Sequence, residues 1–177
     1  MISSISSYII DIESFKKAAK TKKYLENIKA GRFIIYKGDG NNKIINSLRS
    51  KNIPLNITFN NIQTIQEFSG YISKKIEADS ISLIKSFTDK NFLKSLNLSQ
   101  ESVLSLFLPN TYEFFWNTSA DNFREKMVRE FNNFWNENRI EKAKKIGLNP
   151  VEVSVLASIV QKETPKVDER PTIAGVY

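Results

Sequence analysis

Hydrophobic positions in the first half of the chain follow strand-like and helix-like patterns in alternation. Residues 54–59 alternate apolar and polar side chains with the period of two that is typical of a strand. Other runs repeat at helical spacing, and Gly31 is interpreted as a helix stop. The predicted elements are helices over residues 12–30 and around Ile44, Ile45 and Leu48, strands over residues 32–36 and 54–59, and a helix capped by Asn60 or Asn61 that extends to Ile76.

The second half has mostly helical patterns, so the chain is predicted to be α+β, with a small α/β module followed by a mainly helical region. A Pro109-Asn110 turn signal interrupts the aromatic run of residues 107–116. The apolar stripe of the longest helix is either a sugar-stacking platform or part of the core, and its spacing favours the core. The predicted helices begin at Asp79 or Ser80, cover residues 90–96, and run from Thr118 or Ser119 to Gly147 with the stripe Phe123, Met127, Phe131, Phe134 and Trp135.

The last predicted helix has clear signals at both ends. Asn149 is a suitable N-cap, Pro150 suits the first helical position, and Glu152 stands where a capping-box carboxylate reaches back. Pro165 prevents the helix from continuing. At helical spacing, one stripe of this helix contains Val153, Leu156, Ile159, Val160 and Glu163.

Glu163 is the candidate catalytic residue, because it is the only charged side chain on that stripe beyond the first turn. A carboxyl group that faces an apolar region keeps its proton more easily, which a general acid near neutral pH requires. The alternative is structural: Glu163 ends the helix at the protein surface or pairs with a Lys or Arg. Periodicity by itself favours the structural alternative.

Composition excludes several kinds of catalysis. The chain has 177 residues, with neither cysteine nor histidine. Disulfides, thiolate metal sites and cysteine nucleophiles are therefore excluded, and so are Ser-His-Asp chemistry and histidine zinc sites. Any acid–base catalysis must use carboxylates, Lys or Tyr. We predict no metal and no cofactor.

The net charge of +7 and the pI near 9.5 suit an anionic partner, such as nucleic acid, anionic lipid or an acidic wall polymer. No recognised nucleic-acid-binding motif accompanies the charge, so we do not predict nucleic-acid binding. The tightest basic runs, including Lys22-Lys23, are interpreted as solvated helix faces. No stretch approaches the ~20 apolar residues of a membrane span, and no signal peptide is visible. We expect any membrane anchor or export signal of the natural protein to lie outside this chain.

Three parts of the sequence carry more specific motifs. The first part begins with Leu-Ala-Ser-Ile-Val-Gln-Lys-Glu-Thr (156–164) and continues with Asp-Glu-Arg-Pro (168–171) and Ile-Ala-Gly-Val-Tyr (173–177). The second part lies upstream and is Leu-Pro-Asn-Thr-Tyr-Glu-Phe (108–114). The third part consists of Gly-Arg-Phe (31–33) and Ser-Leu-Arg-Ser (47–50). The first two resemble the signature and the Pro-Asp/Asn-Thr-Tyr element of the YceG-like (MltG) endolytic murein transglycosylases. The third resembles their LysM-like module. The resemblance covers nearly the whole chain, in the expected order, and is of the Bacteroidetes type.

The resemblance implies an enzyme that cuts peptidoglycan glycan strands internally at the bond between N-acetylmuramic acid (MurNAc) and N-acetylglucosamine (GlcNAc), terminating nascent strands. One glutamate protonates the glycosidic oxygen and then, as a carboxylate, helps the muramic C6 hydroxyl attack C1, which leaves a 1,6-anhydro end. Hydrolytic glycosidases usually need two carboxyl groups. Glu163 is the position that matches this glutamate. Candidate substrate contacts are Asn110, Thr111, Tyr112, Glu113, Thr164, Glu169 and Arg170. Each group has a structural alternative: a turn followed by a buried Tyr for residues 110–113, the end of the helix for Thr164, and an exposed pair after the helix for Glu169 and Arg170.

The resemblance also implies an organisation and a location. Residues 1–85 are expected to form an N-terminally incomplete LysM-like module with a following helix, and residues 86–177 the first part of the catalytic domain. The chain looks truncated at both ends, so we expect little activity from it alone. The full-length protein is expected at the inner membrane, with a membrane anchor and a periplasmic domain, and cell-wall synthesis proteins are possible partners. The alternative from another class is a non-catalytic, peptidoglycan-binding LysM-like module.

Overall fold

The computed structural model describes residues 9–50, 52–60 and 62–177. It divides into two compact units, which we call the N-terminal unit (Met1–Asn56 with Glu113–Asn117) and the C-terminal unit (Ile57–Tyr112 with Thr118–Tyr177). These are units of packing, and the predicted domain limits, residues 1–85 and 86–177, stay a prediction.

The chain is mainly helical, with one small antiparallel sheet made of β1 and β2. The predicted α+β class is therefore confirmed. No helix in the described ranges has both the length and the apolar character needed to cross a membrane. The elements are α1 (Ile12–Thr21), α2 (Asn41–Arg49), β1 (Leu55–Phe59), α3 (Ile65–Ile72), α4 (Ser80–Phe87), α5 (Lys90–Ser95), a 3-10 helix (Val103–Leu106), β2 (Asn110–Phe114), α6 (Ala120–Phe134), α7 (Glu137–Lys145), α8 (Pro150–Glu163) and α9 (Arg170–Ala174).

Side-chain caps fix where most of these helices begin. The oxygens of Asp79 and Ser119 accept hydrogen bonds from backbone N–H groups in the first turns of α4 and α6, as predicted. For α3 the predicted cap is wrong, because Thr64 caps this helix, four residues after Asn60. The other candidate cap, Asn61, lies outside the described residues.

The N-terminal unit is built on the packing of α1 against α2. The predicted helix at Ile44, Ile45 and Leu48 is confirmed as α2, and all three side chains are buried in one core with Phe15, Ala19 and Tyr24. The predicted helix over residues 12–30 is too long, since α1 ends at Thr21. Lys23 has a φ of 51°, which is incompatible with a continuing right-handed helix. Gly31 is consequently not a helix stop.

The predicted strand over residues 32–36 is wrong, although residues 54–59 do contain the predicted strand, β1. Side chains bind two of the backbone amides in this segment. The Arg32 amide donates to Asn52 Oδ1 at 2.7 Å, and the Tyr36 amide donates to Asp39 Oδ2 at 3.0 Å. Ile34, Ile35 and Tyr36 remain exposed. β-Branched and aromatic composition favours a strand only where a neighbouring strand supplies hydrogen bonds and packing.

We expect Gly31→Ala to lower the free energy of unfolding by about 1–3 kcal/mol, through backbone strain and a clash. Gly31 has a φ of 154°, and a Cβ atom there would lie 2.5 Å from Asn52 Cγ. The Asn52 side chain is held on both sides, because it accepts from the Arg32 amide and donates to Asn117. Urea denaturation measures the effect. The matched control is Gly70→Ala in α3, where a Cβ atom meets nothing within 4 Å; it is expected to stabilise by about 0.5–1 kcal/mol.

The core of the C-terminal unit is an aromatic cluster around Phe68. Its ring centroid lies 4.9 Å from that of Phe59, 5.9 Å from Phe87, 4.4 Å from Phe107 and 6.0 Å from Phe123. α3 contacts α4, α4 contacts α6, and α6 contacts the 3-10 helix, so these four elements pack together around the cluster. Burial of these rings contributes apolar stabilisation to this unit.

The predicted helix from Ser119 to Gly147 is two helices. α6 ends at Phe134, and the side chain of Asn136 accepts a hydrogen bond from the Arg139 amide to begin α7. Core packing is confirmed for the buried residues Phe123, Met127, Phe131 and Trp135. It is wrong for Phe134, whose exposed ring carries the Arg139 guanidinium 4.2 Å from its centroid.

Candidate active site

The helix that carries Glu163 begins and ends as predicted. Asn149 Oδ1 accepts hydrogen bonds from the amides of Val151 and Glu152, and Glu152 Oε2 accepts one from the Asn149 amide. This reciprocal pair is a capping box, with Pro150 in the first helical position. α8 ends at Glu163, where Thr164 takes an extended conformation before Pro165. Local sequence therefore fixes Glu163 as the last residue of a regular helix.

The structure agrees with the surface form of the structural alternative, because Glu163 ends α8 at the protein surface and does not face an apolar region. α8 contacts the 3-10 helix, α7 and α9, but its only buried residue in the described structure is Val160. Ile159 is 38% exposed, and Glu163 is exposed as well. Helical spacing identified the residues that share a face, whereas the packing of the neighbouring elements covers only part of that face.

Glu163 lies at the end of an exposed apolar line. Val155, Ile159 and Glu163 follow one another at intervals of four residues, so their side chains are neighbours along α8. Val155 is 44% exposed. Within residues 9–50, 52–60 and 62–177, the Glu163 carboxyl group has neither a hydrogen bond nor an ion pair. The structural alternative of a Lys or Arg partner therefore has no support in this part of the chain.

The segment after Glu163 is fixed by a small polar cluster. Thr164 is only 3% exposed, and its hydroxyl donates to Glu169 Oε2 at 2.8 Å and accepts from the Lys166 amide at 3.1 Å. Lys166 Nζ donates to Glu169 Oε1 at 2.8 Å. Two hydrogen bonds hold the pKa of Glu169 below its ordinary value: the one from Lys166 has the larger effect, and the one from Thr164 the smaller. Glu169 is therefore a carboxylate that anchors the turn between α8 and α9.

We expect Lys166→Gln to raise the pKa of Glu169 towards that of an ordinary glutamate. The folded pKa is depressed, so the stabilisation from this carboxylate is present above the unfolded pKa and is lost as the pH falls through the folded pKa. NMR titration of the Glu169 carboxyl carbon measures the shift. The matched control is Lys162→Gln, an exposed lysine one turn earlier that makes no ion pair within the described residues. An equal shift in both variants would contradict the assigned contact.

Arg170 opens α9 next to this cluster but does not pair with Glu169 in the described structure. Its side chain is half-buried, and Nε is buried without a hydrogen-bond partner among the described residues. A buried donor without a partner is costly. The two residues predicted as substrate contacts thus have different surroundings. Glu169 accepts hydrogen bonds from Thr164 and Lys166, while Arg170 has one buried donor without a partner among the described residues.

The four candidate residues from Asn110 to Glu113 lie on β2. The strand itself was not predicted, because only the turn signal of Pro109-Asn110 was recognised. Tyr112 is buried; its hydroxyl donates to the Leu108 carbonyl at 2.8 Å, and its ring stacks on Phe59 at 5.3 Å. Asn110, Thr111 and Glu113 are exposed. The Thr111 hydroxyl lies 2.7 Å from that of Thr58 on β1.

No hydrogen bond or ion pair within residues 9–50, 52–60 and 62–177 joins Glu163 to Asn110, Thr111 or Tyr112. α8 does contact the 3-10 helix that leads into the segment before β2. Sequence reasoning missed Lys166, although its spacing of three residues from Glu169 was a usable signal. It also missed the exposure of Val155.

Comparison with known proteins identifies the class to which this chain belongs. The sequence model of the YceG-like family matches residues 5–177. The chain therefore belongs to the YceG-like family, as its motifs indicated. No curated protein and no solved structure matches.

Family membership gives the coarse function. The YceG-like family is that of the MltG endolytic transglycosylases, so the chain is assigned to the murein transglycosylases. The matched range contains β2, α8, α9 and all of the candidate site residues.

Proposed function

We propose that this protein is an endolytic lytic transglycosylase that cleaves the MurNAc–GlcNAc bond of peptidoglycan glycan strands, with Glu163 as the single catalytic carboxyl group. The observation that carries the proposal is the position of Glu163, which lies exposed and without a partner in the described structure at the end of the Val155–Ile159 line. An apolar line suits the C–H face of a sugar ring, and the free carboxyl group next to it suits a glycosidic oxygen.

The reaction needs no water and no second carboxyl group. Protonated Glu163 donates its proton to the glycosidic oxygen, and the bond from this oxygen to the muramic C1 breaks, so GlcNAc leaves with a free hydroxyl. The muramic O6 then bonds to C1, and its proton passes to the Glu163 carboxylate. Glu163 ends protonated, as it began, and the strand ends in 1,6-anhydro-MurNAc. General acid–base catalysis by one group in two steps is sufficient for this sequence.

An exposed glutamate is compatible with this role. A bound glycan strand would exclude water from the carboxyl group and strengthen its hydrogen bond to the glycosidic oxygen. Catalytic contacts are often incomplete before the substrate binds. The Thr164–Lys166–Glu169 cluster would act by positioning, because it fixes the backbone that follows the catalytic residue.

The other candidate residues receive different roles in the proposal. Asn110, Thr111 and Glu113 have exposed side chains and are proposed as substrate contacts on β2. Tyr112 is buried, so we propose that it positions its neighbours instead of touching the glycan. Arg170 is half-buried, and its guanidinium group is proposed to contact an N-acetyl or hydroxyl oxygen.

The proposal extends to partners and location. The proposed partners are the peptidoglycan glycan strand and the cell-wall synthesis proteins, and nucleic acid is not proposed as a partner. Residues 1–85 are proposed to form a LysM-like module and residues 86–177 part of the catalytic domain. The natural protein is proposed to work at the inner membrane with its catalytic part in the periplasm.

The test is to incubate the protein, expressed from its complete reading frame, with uncrosslinked glycan strands and to analyse products by mass spectrometry. We expect 1,6-anhydro ends to appear together with fragments of intermediate length, as internal cleavage requires. Release of disaccharides only from strand ends would contradict endolytic cleavage. Unchanged strands that sediment with the protein would support the second candidate, a non-catalytic peptidoglycan-binding module.

The second candidate has one specific observation in its favour. Glu163 is exposed to solvent, whereas a general acid was expected to face an apolar region. A wall-binding protein needs no such carboxyl group. The candidates therefore differ in whether any 1,6-anhydro product forms.

A further inference from the structure

The excess of positive charge is concentrated in the N-terminal unit. Its sequence contains 11 Lys and Arg against 5 Asp and Glu, which is a net charge of +6. The C-terminal unit contains 15 Lys and Arg against 14 Asp and Glu, a net charge of +1. The basic character of the chain is therefore a property of one unit and requires an explanation there.

Four of these cations surround one surface pocket. The pocket has a volume of about 450 Å³ and is lined by Lys22, Lys23, Glu26, Asn27, Lys29 and Arg49. Glu26 is the single acidic residue among them, so the lining carries a net charge of +3. A concave site with an excess of one sign of charge concentrates counter-ions of the opposite sign.

The backbone that holds these cations is ordered by its own contacts. α1 ends at Thr21, and the chain turns around Tyr24, which is only 1% exposed. The Tyr24 amide donates to the Ala19 carbonyl at 2.9 Å, and the Asn27 amide donates to the Tyr24 carbonyl at 3.1 Å. The interpretation of Lys22-Lys23 as a solvated helix face is therefore wrong, because both residues belong to this turn.

Most of the pocket's positive charge is unpaired. Lys22 Nζ is held by Asn46 Oδ1 at 2.7 Å, a neutral acceptor that leaves its charge uncompensated. The side chains of Lys23, Lys29 and Arg49 make no hydrogen bond or ion pair with any described residue. Lys23, Lys29 and Arg49, together with Lys22, are thus available to an anion.

Exposed aliphatic side chains interrupt the same basic segment. Leu25 is 42% exposed and Ile28 is 48% exposed, between Lys22 and Lys29. Basic residues combined with exposed apolar ones are typical of protein surfaces that lie on anionic membranes. A nucleic-acid site would instead combine the basic residues with base-reading or base-stacking side chains, and none of the lining residues is aromatic.

We propose that this pocket binds the phosphate groups of an anionic lipid surface, with Leu25 and Ile28 entering the interface beside it. The site holds the N-terminal unit against the membrane independently of any anchor elsewhere in the protein. It does not depend on the proposed transglycosylase activity, since none of the residues in the Glu163 region takes part.

The test is co-sedimentation of the 177-residue chain with vesicles of phosphatidylcholine alone or of phosphatidylcholine mixed with phosphatidylglycerol. We expect binding to the mixed vesicles only, weakened by salt. Each Lys or Arg near an anionic leaflet raises affinity about fivefold, so replacing Lys23, Lys29 and Arg49 by Gln should lower affinity on the order of 100-fold. The conservative variant Lys23→Arg with Lys29→Arg should retain binding.

The matched control replaces Lys142, Lys144 and Lys145 of α7 by Gln, which removes the same charge from the C-terminal unit. These three lysines are exposed and make no ion pair within the described residues. We expect a much smaller loss of vesicle binding. Equal losses in the two triple variants would overturn the pocket in favour of general charge attraction. Circular dichroism verifies that each variant is folded.

Two further arms identify the source of the phosphate. Leu25→Ser with Ile28→Ser should lower vesicle affinity by about tenfold, because apolar area no longer enters the interface. An unchanged affinity would overturn the membrane assignment. Inorganic phosphate should displace the protein no better than chloride at equal ionic strength, and stronger displacement would point to free phosphate. Binding of a duplex oligonucleotide that is lost in the pocket variant, with no binding to vesicles, would overturn the proposal in favour of nucleic acid.

Discussion

Glu163→Gln, in the protein expressed from its complete reading frame, is expected to lower the release of anhydro-muropeptides by about 10²–10⁴-fold. Gln keeps the shape of the side chain but has no acidic proton to give and cannot accept the proton of the muramic C6 hydroxyl. Both steps of the proposed reaction use this one group, so no second carboxyl group compensates. Binding to isolated peptidoglycan should be retained, because Glu163 contributes to chemistry and its exposed side chain makes no structural contact in the described residues.

The matched control is Glu141→Gln in α7, another exposed glutamate without an ion pair in the described structure. It should leave product release within twofold or so of the original protein, at about the scatter expected of surface substitutions. Product release by Glu163→Gln at an unchanged rate would reject Glu163 as the catalytic residue. Loss of activity together with loss of peptidoglycan binding would instead indicate a role in holding the strand.

Phe68→Ala is expected to lower the free energy of unfolding by about 3–5 kcal/mol, which is the largest effect on stability predicted for this chain. Phe68 is 1% exposed, and its ring contacts those of Phe59, Phe87, Phe107 and Phe123. Truncation removes these contacts and leaves a cavity, since rings held by several helices cannot all move inward. Urea denaturation followed by circular dichroism measures the change.

The control for Phe68→Ala is Ile81→Ala on α4, because Ile81 is 77% exposed. It should change the free energy of unfolding by no more than about 0.5 kcal/mol. A small effect of Phe68→Ala, comparable with that of Ile81→Ala, would show that the aromatic cluster is not the core of the C-terminal unit.

Local sequence signals predicted the ends of several helices correctly. The caps Asp79, Ser119 and Asn149 each act on backbone groups within three residues, so the information lies in a few adjacent positions. The motif near Glu163 also identified the family, which the match over residues 5–177 confirmed. Predictions of this kind depend only on neighbouring residues, so they do not require knowledge of how distant parts of the chain pack.

Predictions that depended on distant partners were less successful. Residues 32–36 have strand composition, but Asn52 and Asp39 bind their backbone in place of a strand. β2 was missed because its pairing with β1 joins segments about fifty residues apart in the sequence. The exposure of Glu163 could not be predicted from periodicity, since helical spacing does not determine which residues of a stripe the neighbouring helices cover.

Cleavage of glycan strands in ¹⁸O-labelled water tests the central claim most directly, which is that Glu163 promotes attack of the muramic C6 hydroxyl on C1 without the addition of water. The account predicts new muramic ends that are lighter than hydrolysed ends by one water molecule and contain no ¹⁸O, and their loss in Glu163→Gln. New reducing ends that carry ¹⁸O, or unlabelled anhydro ends formed at full rate by Glu163→Gln, would contradict it.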